Sequence, residues 1–196
     1  MSAAPSPFER PSAREVQRQR TRARLFSAAL AEFARAGFDN ASVAEIARAA
    51  DVSRPSFYFH FPTKEHVLLE LQWHKELELV DRLQGCGTLR ELLGALPDAI
   101  AEVYAGIEGP GVARDMVMIY ARLPEYLPLA EQPFPLVRLL ERRFAEGAQR
   151  GELRAGLHPG KATFLCLTSV FGYLIGAAPD ADHRANLRSV VGLFLA

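Results

Sequence analysis

Cysteine is nearly absent from this 196-residue chain, and the two present, Cys86 and Cys166, lie far apart. A chain so composed is not stapled by disulfides, and neither cysteine has the neighbours of a metal or redox motif. Long hydrophobic runs are missing too: no stretch approaches the about 18 uninterrupted apolar residues that a bilayer span demands. The first fifteen residues lack the apolar centre of a secretory leader, so a cytoplasmic location is expected. No Gly-rich phosphate loop, GxSxG elbow or HExxH pair occurs. His60, His66 and His74 have no companion ligands at metal spacing, so no metal or other cofactor is expected. These gaps together argue against an enzyme. Net charge is also lacking, since 23 Lys and Arg balance 23 Asp and Glu.

The balance hides an asymmetry. Residues 1–64 carry ten Lys and Arg against six Asp and Glu, a surplus of four; residues 65–196 carry thirteen against seventeen, a deficit of four. A basic head on an acidic body is the distribution of a nucleic-acid-binding domain joined to a regulatory one. Hydrophobic content of 49% with few β-branched runs suits an all-α protein.

The stretch from Ser42 to Lys64 organises the rest. Ser42 and Glu45 have the spacing of a capping box, and Val43, Ile46, Ala47 and Ala50 give a small apolar face at helical spacing. Asp51 stands where the chain needs a left-handed residue to turn, a conformation Asp tolerates better than most. Ser53 then caps a second helix with Pro55 in its first turn, where a missing N–H costs nothing. Phe57 and Phe61 share one face of that helix and are expected in the core, leaving Tyr58 and His60 to point elsewhere. Two helices across so tight a turn make a helix-turn-helix, which lays its second helix in the DNA major groove. Lys64 opens the next helix, where a cation opposes the helix dipole; a phosphate partner would account for it.

This run resembles the DNA-binding domain of the tetracycline-repressor (TetR) family of bacterial transcriptional regulators. Val52-Ser53 at the turn, Tyr58, His60, Phe61 and Lys64 fit the family pattern, and the aliphatic Val67-Leu68 follows in place. Pro55 stands where the family usually has Gly, and Asp51 replaces the usual turn Gly. The resemblance covers roughly residues 16–80. It implies a homodimeric, ligand-responsive regulator, a repressor by analogy, that grips a near-palindromic operator in double-stranded DNA. Arg54 is then the candidate for reading a base, with Pro55 and Ser56 giving shape and methyl contacts. Ser42, Tyr58, His60 and Lys64 are candidates for holding phosphates.

Three parts are expected along the chain. Residues 1–15, rich in Pro, Ser and Ala, read as a disordered basic tail whose arginines run on into the first helix. Residues 16–83 read as the three-helix head with a long connecting helix, closed by the breaker Gly85-Cys86-Gly87. Residues 84–196 read as a helical effector-binding and dimerisation domain. Its helices are expected at about 88–107, opened by a Thr88–Glu91 capping box, then 114–123, 134–149, 159–177 and 180–195. Tyr104, Met116, Met118, Tyr120, Phe134 and Phe144 are candidates to line a pocket for a small hydrophobic or aromatic effector. Ser169, Gly172 and Gly176 share one side of the most apolar helix, where small residues let another backbone come close; this is the candidate dimer face. The rival reading is a helical dimeric ligand-binding or protein-interaction module without DNA binding, favoured by Pro55 and the zero net charge.

Overall fold

A computed structural model describes residues 12–109, 111–121, 134–177 and 181–196. Among these the protein is all-α: nine helices, no named strand, and one isolated bridge between Leu153 and Leu195. The chain divides into two compact units, Met1–Val67 and Leu68–Ala196. The division falls inside the long connecting helix, well before Gly85-Cys86-Gly87. Those breakers end a helix; packing divides the chain earlier, because the first turn of that helix is built into the head.

The first unit holds α1 (Ala13–Ala36), α2 (Val43–Ala49), α3 (Arg54–His60) and the opening turn of α4 (Lys64–Leu83). α1 starts earlier than the sequence suggests: Ser12 accepts the Glu15 amide at 3.2 Å, so Ala13 and Arg14 are helical. Its C-terminal end is Gly37 at φ 76, and Phe38 folds back edge-on against Phe33 at 5.2 Å. Gly37 has ψ 158, so the chain leaves in an extended course instead of closing a full Schellman loop. Leu25, Ala29, Phe33, Ile46, Phe57 and Phe61 fill the core between the helices.

The second unit contains α5 (Leu89–Ala105), α6 (Val112–Ala121), α7 (Pro135–Gln149), α8 (Pro159–Gly176) and α9 (His183–Gly192), with the remainder of α4. The expected Thr88–Glu91 capping box is present in full. α5 packs on α7 and α9, and α8 packs on α6, α7 and α9. Leu92, Leu96, Leu140, Phe144, Cys166 and Leu187 belong to the shared core. Gly147 permits a close approach of α7 to α5, for a Cβ there would lie 2.7 Å from Leu89. No helix among the described residues is long and apolar enough to cross a membrane. The proline-bearing stretch 122–133 lies outside the described residues.

Candidate nucleic-acid interface

The turn between α2 and α3 is a Schellman motif built on Asp51. The Asp51 amide donates to the Arg48 carbonyl at 3.1 Å and the Val52 amide to Ala47 at 3.0 Å, with Asp51 at φ 51. Asp is the one non-glycine residue with positive φ among the described residues. Ser53 then caps α3 through the Ser56 amide at 3.4 Å. With Pro55 in the first turn, α3 starts abruptly and with its direction fixed.

Phe57 and Phe61 are fully buried, 5.9 Å apart, and anchor α3 by one face. What remains on the outside is Arg54, Pro55, Tyr58 and Phe59, with Ser56 and His60 half-buried. Arg54 donates to the Tyr58 hydroxyl at 3.4 Å, one helical turn along, which holds its guanidinium extended over the helix surface. Phe59 is 73% exposed. The ring touches His60 edge-on at 5.2 Å and is otherwise open to solvent, and it was missed as a candidate because the aromatic run reads as core. Its departure from the Phe57–Phe61 face was the available signal.

Two other cations brace the head. Arg22 donates to the His60 carbonyl and lies over the Phe61 ring at 4.1 Å, so α1 caps the end of α3. Burial, helped by Arg22 and Arg18, holds the His60 imidazole below its ordinary pKa and so favours the neutral ring. A neutral His60 approaches phosphate as a hydrogen-bond donor, not as a cation. Lys64 donates to the carbonyls of Phe38, Asp39 and Ala41 at 2.8, 3.1 and 3.1 Å. All three ammonium donors are thus spent on the α1–α2 loop, which accounts for a cation at this helix start without a phosphate.

The capping box expected at Ser42 is absent, since Ser42 makes no side-chain cap bond and Glu45 pairs with Arg48 at 2.6 Å. The Ser42 amide donates instead to Glu32 at 3.2 Å, on a carboxylate already gripped by Arg35 at 2.8 Å. That guanidinium holds the Glu32 carboxyl below the usual carboxylate range. A tertiary carboxylate has displaced the local one, and the Ser42 hydroxyl is left near the surface at the start of α2.

Residues 25–71 match the model of the bacterial regulatory proteins of the tetR family. They form a tetR-family domain. A curated relative, an uncharacterized HTH-type transcriptional regulator of Bacillus subtilis (YdgC), is 45% identical over 51 residues, which span 26% of each chain. Solved structures extend the likeness in fold. Thermus thermophilus FadR, a TetR-family repressor in complex with lauroyl-CoA, has TM-score 0.68 at 24% identity over 88% of this chain and 92% of that one. Pseudomonas aeruginosa NalD, a secondary repressor of a multidrug efflux pump, has TM-score 0.58 at 23% identity over 91% and 98%. FadR of Bacillus subtilis, in complex with stearoyl-CoA, has TM-score 0.59 at 21% identity over 87% and 96%.

Outside the tetR-family domain, the second unit has a half-open cavity of about 620 Å³ among α5, α6, α8 and α9. Of the six expected pocket residues, Tyr104 lines it. Met116, Phe134 and Phe144 are spent on packing: all three are buried, Phe134 against Trp73 and Phe144 against Phe194. Met118 is 37% exposed and does not line the cavity; the Tyr120 side chain lies outside the described residues. Arg114 and His183 do line it, and nothing in the sequence pattern marked either. Behind the cavity wall the Tyr104 hydroxyl donates to Gln72 at 3.4 Å, and Gln72 donates to Glu76 at 2.9 Å, both on α4. Glu76 also accepts the Leu136 amide at 2.9 Å and so caps α7. Burial pushes the Glu76 carboxyl up to about 7. Ser169, Gly172 and Gly176 all sit on the exposed side of α8.

Proposed function

We propose that the protein is a ligand-responsive transcriptional regulator, acting as a repressor, that binds a near-palindromic operator as a homodimer through α3. The observation that carries this is the outward set Arg54, Pro55, Tyr58 and Phe59 on a helix pinned by Phe57 and Phe61 within a tetR-family domain. Arg54 reads a base edge in the major groove, while Tyr58, His60 and the start of α2 at Ser42 hold phosphates. Lys64 contributes by fixing the loop that carries Ser42.

A second copy is supported by the outer face of α8. Phe164 and Leu165 are 68% and 44% exposed there, beside Ser169, Gly172 and Gly176, and Leu193 beyond α9 is 58% exposed. Apolar groups gathered around small residues are what a helix–helix interface needs. Two reading helices would then enter successive major grooves roughly 34 Å apart. The effector is small and largely hydrophobic, as the lining of the cavity suggests; the acyl-CoAs held by two fold neighbours share only their apolar acyl chains with that class.

A gel-shift titration against the DNA upstream of its own gene, at several salt concentrations, tests the proposal. Saturable binding is expected, preferred over random duplex and weakening steeply with salt. No binding to any duplex even at low salt would leave the helical ligand-binding module as the reading.

A further inference from the structure

The cavity of the second unit is lined by fourteen residues, and their chemistry is lopsided. Ile100, Val117, Leu174, Ile175 and Leu187 with alanines and glycines make an apolar body. The polar members are Arg114, His183 and Tyr104, and among the described residues no carboxylate lines the space. From this we infer that the site selects an amphipathic monoanion, an apolar molecule carrying one carboxylate or comparable acidic head, over neutral or cationic compounds of the same size. The inference rests on the reading of this cavity as the effector site.

Arg114 supplies the permanent charge. It is exposed, on the first turn of α6, and among the described residues it is in no ion pair. Its neighbour Asp115 is not among the lining residues, though its carboxylate lies close to Gly111 at the rim, 3.8 Å from where a Cβ there would stand. An anion beside Arg114 also lies at the N-terminal, electropositive end of a ten-residue helix. His183 adds a donor. Its Nδ1 lies 3.1 Å from the Tyr173 hydroxyl, which accepts the Asn186 amide at 3.1 Å. With Tyr173 accepting from Asn186 and donating to Nδ1, all three groups are satisfied and the imidazole hydrogen sits on Nε2, as a donor. A lipophilic cation entering the same space would meet a guanidinium, and no carboxylate among the described lining residues. At about 620 Å³ the cavity is within the range that buries a compact ligand.

The test is calorimetric titration of the full chain with three probes of one chain length: decanoate, decan-1-ol and decyltrimethylammonium. Decanoate is expected to bind roughly five- to twentyfold more tightly than the alcohol, and the ammonium more weakly than both. Arg114→Met should erase the margin of acid over alcohol while the alcohol itself binds as before. Ile175→Trp, which fills the cavity, should abolish binding of acid and alcohol alike in a chain whose circular dichroism is unchanged. Equal binding of ammonium and acid overturns the inference, as does a margin that survives Arg114→Met or binding that survives Ile175→Trp. A gel shift run beside the titration separates this from the regulatory reading. Acid-selective binding with no change in operator affinity supports the site and sinks the ligand response, whereas operator binding without acid selectivity does the reverse.

Discussion

Arg54 and Lys64 are ten positions apart, both basic, and the geometry gives them opposite duties. Arg54 has its guanidinium extended along the outside of α3, held by one long bond to Tyr58. Arg54→Ala should therefore leave thermal stability within about 0.5 kcal/mol and relax preference at one operator base pair by about 1–3 kcal/mol. Binding to variant operators and a melting curve measure both; a uniform loss across all sequences would move Arg54 to the phosphates. Lys64, with three carbonyls at its ammonium, behaves otherwise. Lys64→Ala should destabilise the head by about 1–3 kcal/mol, visible as a lowered melting temperature, because three carbonyls lose a charged donor. An unchanged melting temperature with weakened DNA binding would return it to the phosphate role that the sequence suggested. Local spacing could not separate these two residues. It reports what lies three or four positions away, and the partners of Lys64 lie more than twenty positions back. Ser42 failed for the same reason, since a capping box is local and Glu32 is not. Asp51 and Phe57 were legible because a tight turn and an i, i+4 face are settled by near neighbours.

At the level of elements, α4 carries the feature with the largest consequence. Glu76 is fully buried and joins α4 to the start of α7, while its partner Gln72 receives the hydroxyl of the cavity residue Tyr104. Its carboxyl, ordinarily near 4.5, is raised to about 7, chiefly by burial. Between those values the folded chain holds a proton that the unfolded chain has released. Stability from this group is thus greatest below pH 4.5, falls as pH rises toward 7, and then levels off. Urea titrations from pH 4.5 to 8 should show wild type losing about 2–3 kcal/mol relative to Glu76→Gln across that window. Parallel curves would mean that the carboxyl is ionised in the fold. One glutamate among four in a long helix reads from the sequence as surface; only the packing of α7 and α5 against α4 dries it. The order of helices, in contrast, was readable, because α5, α7 and α8 each open beside a Pro, Thr or Gly that fixes a helix start. Pocket residues were the poorest guess of all. Aromatic and Met side chains are as good at filling a core as at lining a cavity, and Phe134 and Phe144 went to the core.

The whole molecule works as proposed only if two copies associate, and one face bears the weight of that claim. Gly172 and Gly176 are exposed on α8, and a Cβ added at either meets nothing within 4 Å in the single chain. Small residues in an apolar helix cost the monomer helix stability, about 1 kcal/mol each relative to Ala, and gain it no internal contact. Their retention there makes sense if a neighbouring backbone needs the room, with Phe164 and Leu165 closing around it. Gly172→Glu separates the two accounts. If the face is free, the substitution is harmless and adds up to about 1 kcal/mol of helix stability. If it is the interface, a carboxylate driven into an apolar contact opposite its own symmetry mate should dissociate the dimer at micromolar concentration. Sedimentation velocity reads the mass directly, and operator affinity should fall with it, because a single head has half the phosphate and base contacts. Dimeric mass retained by Gly172→Glu would take α8 out of the interface while leaving the reading head as it stands.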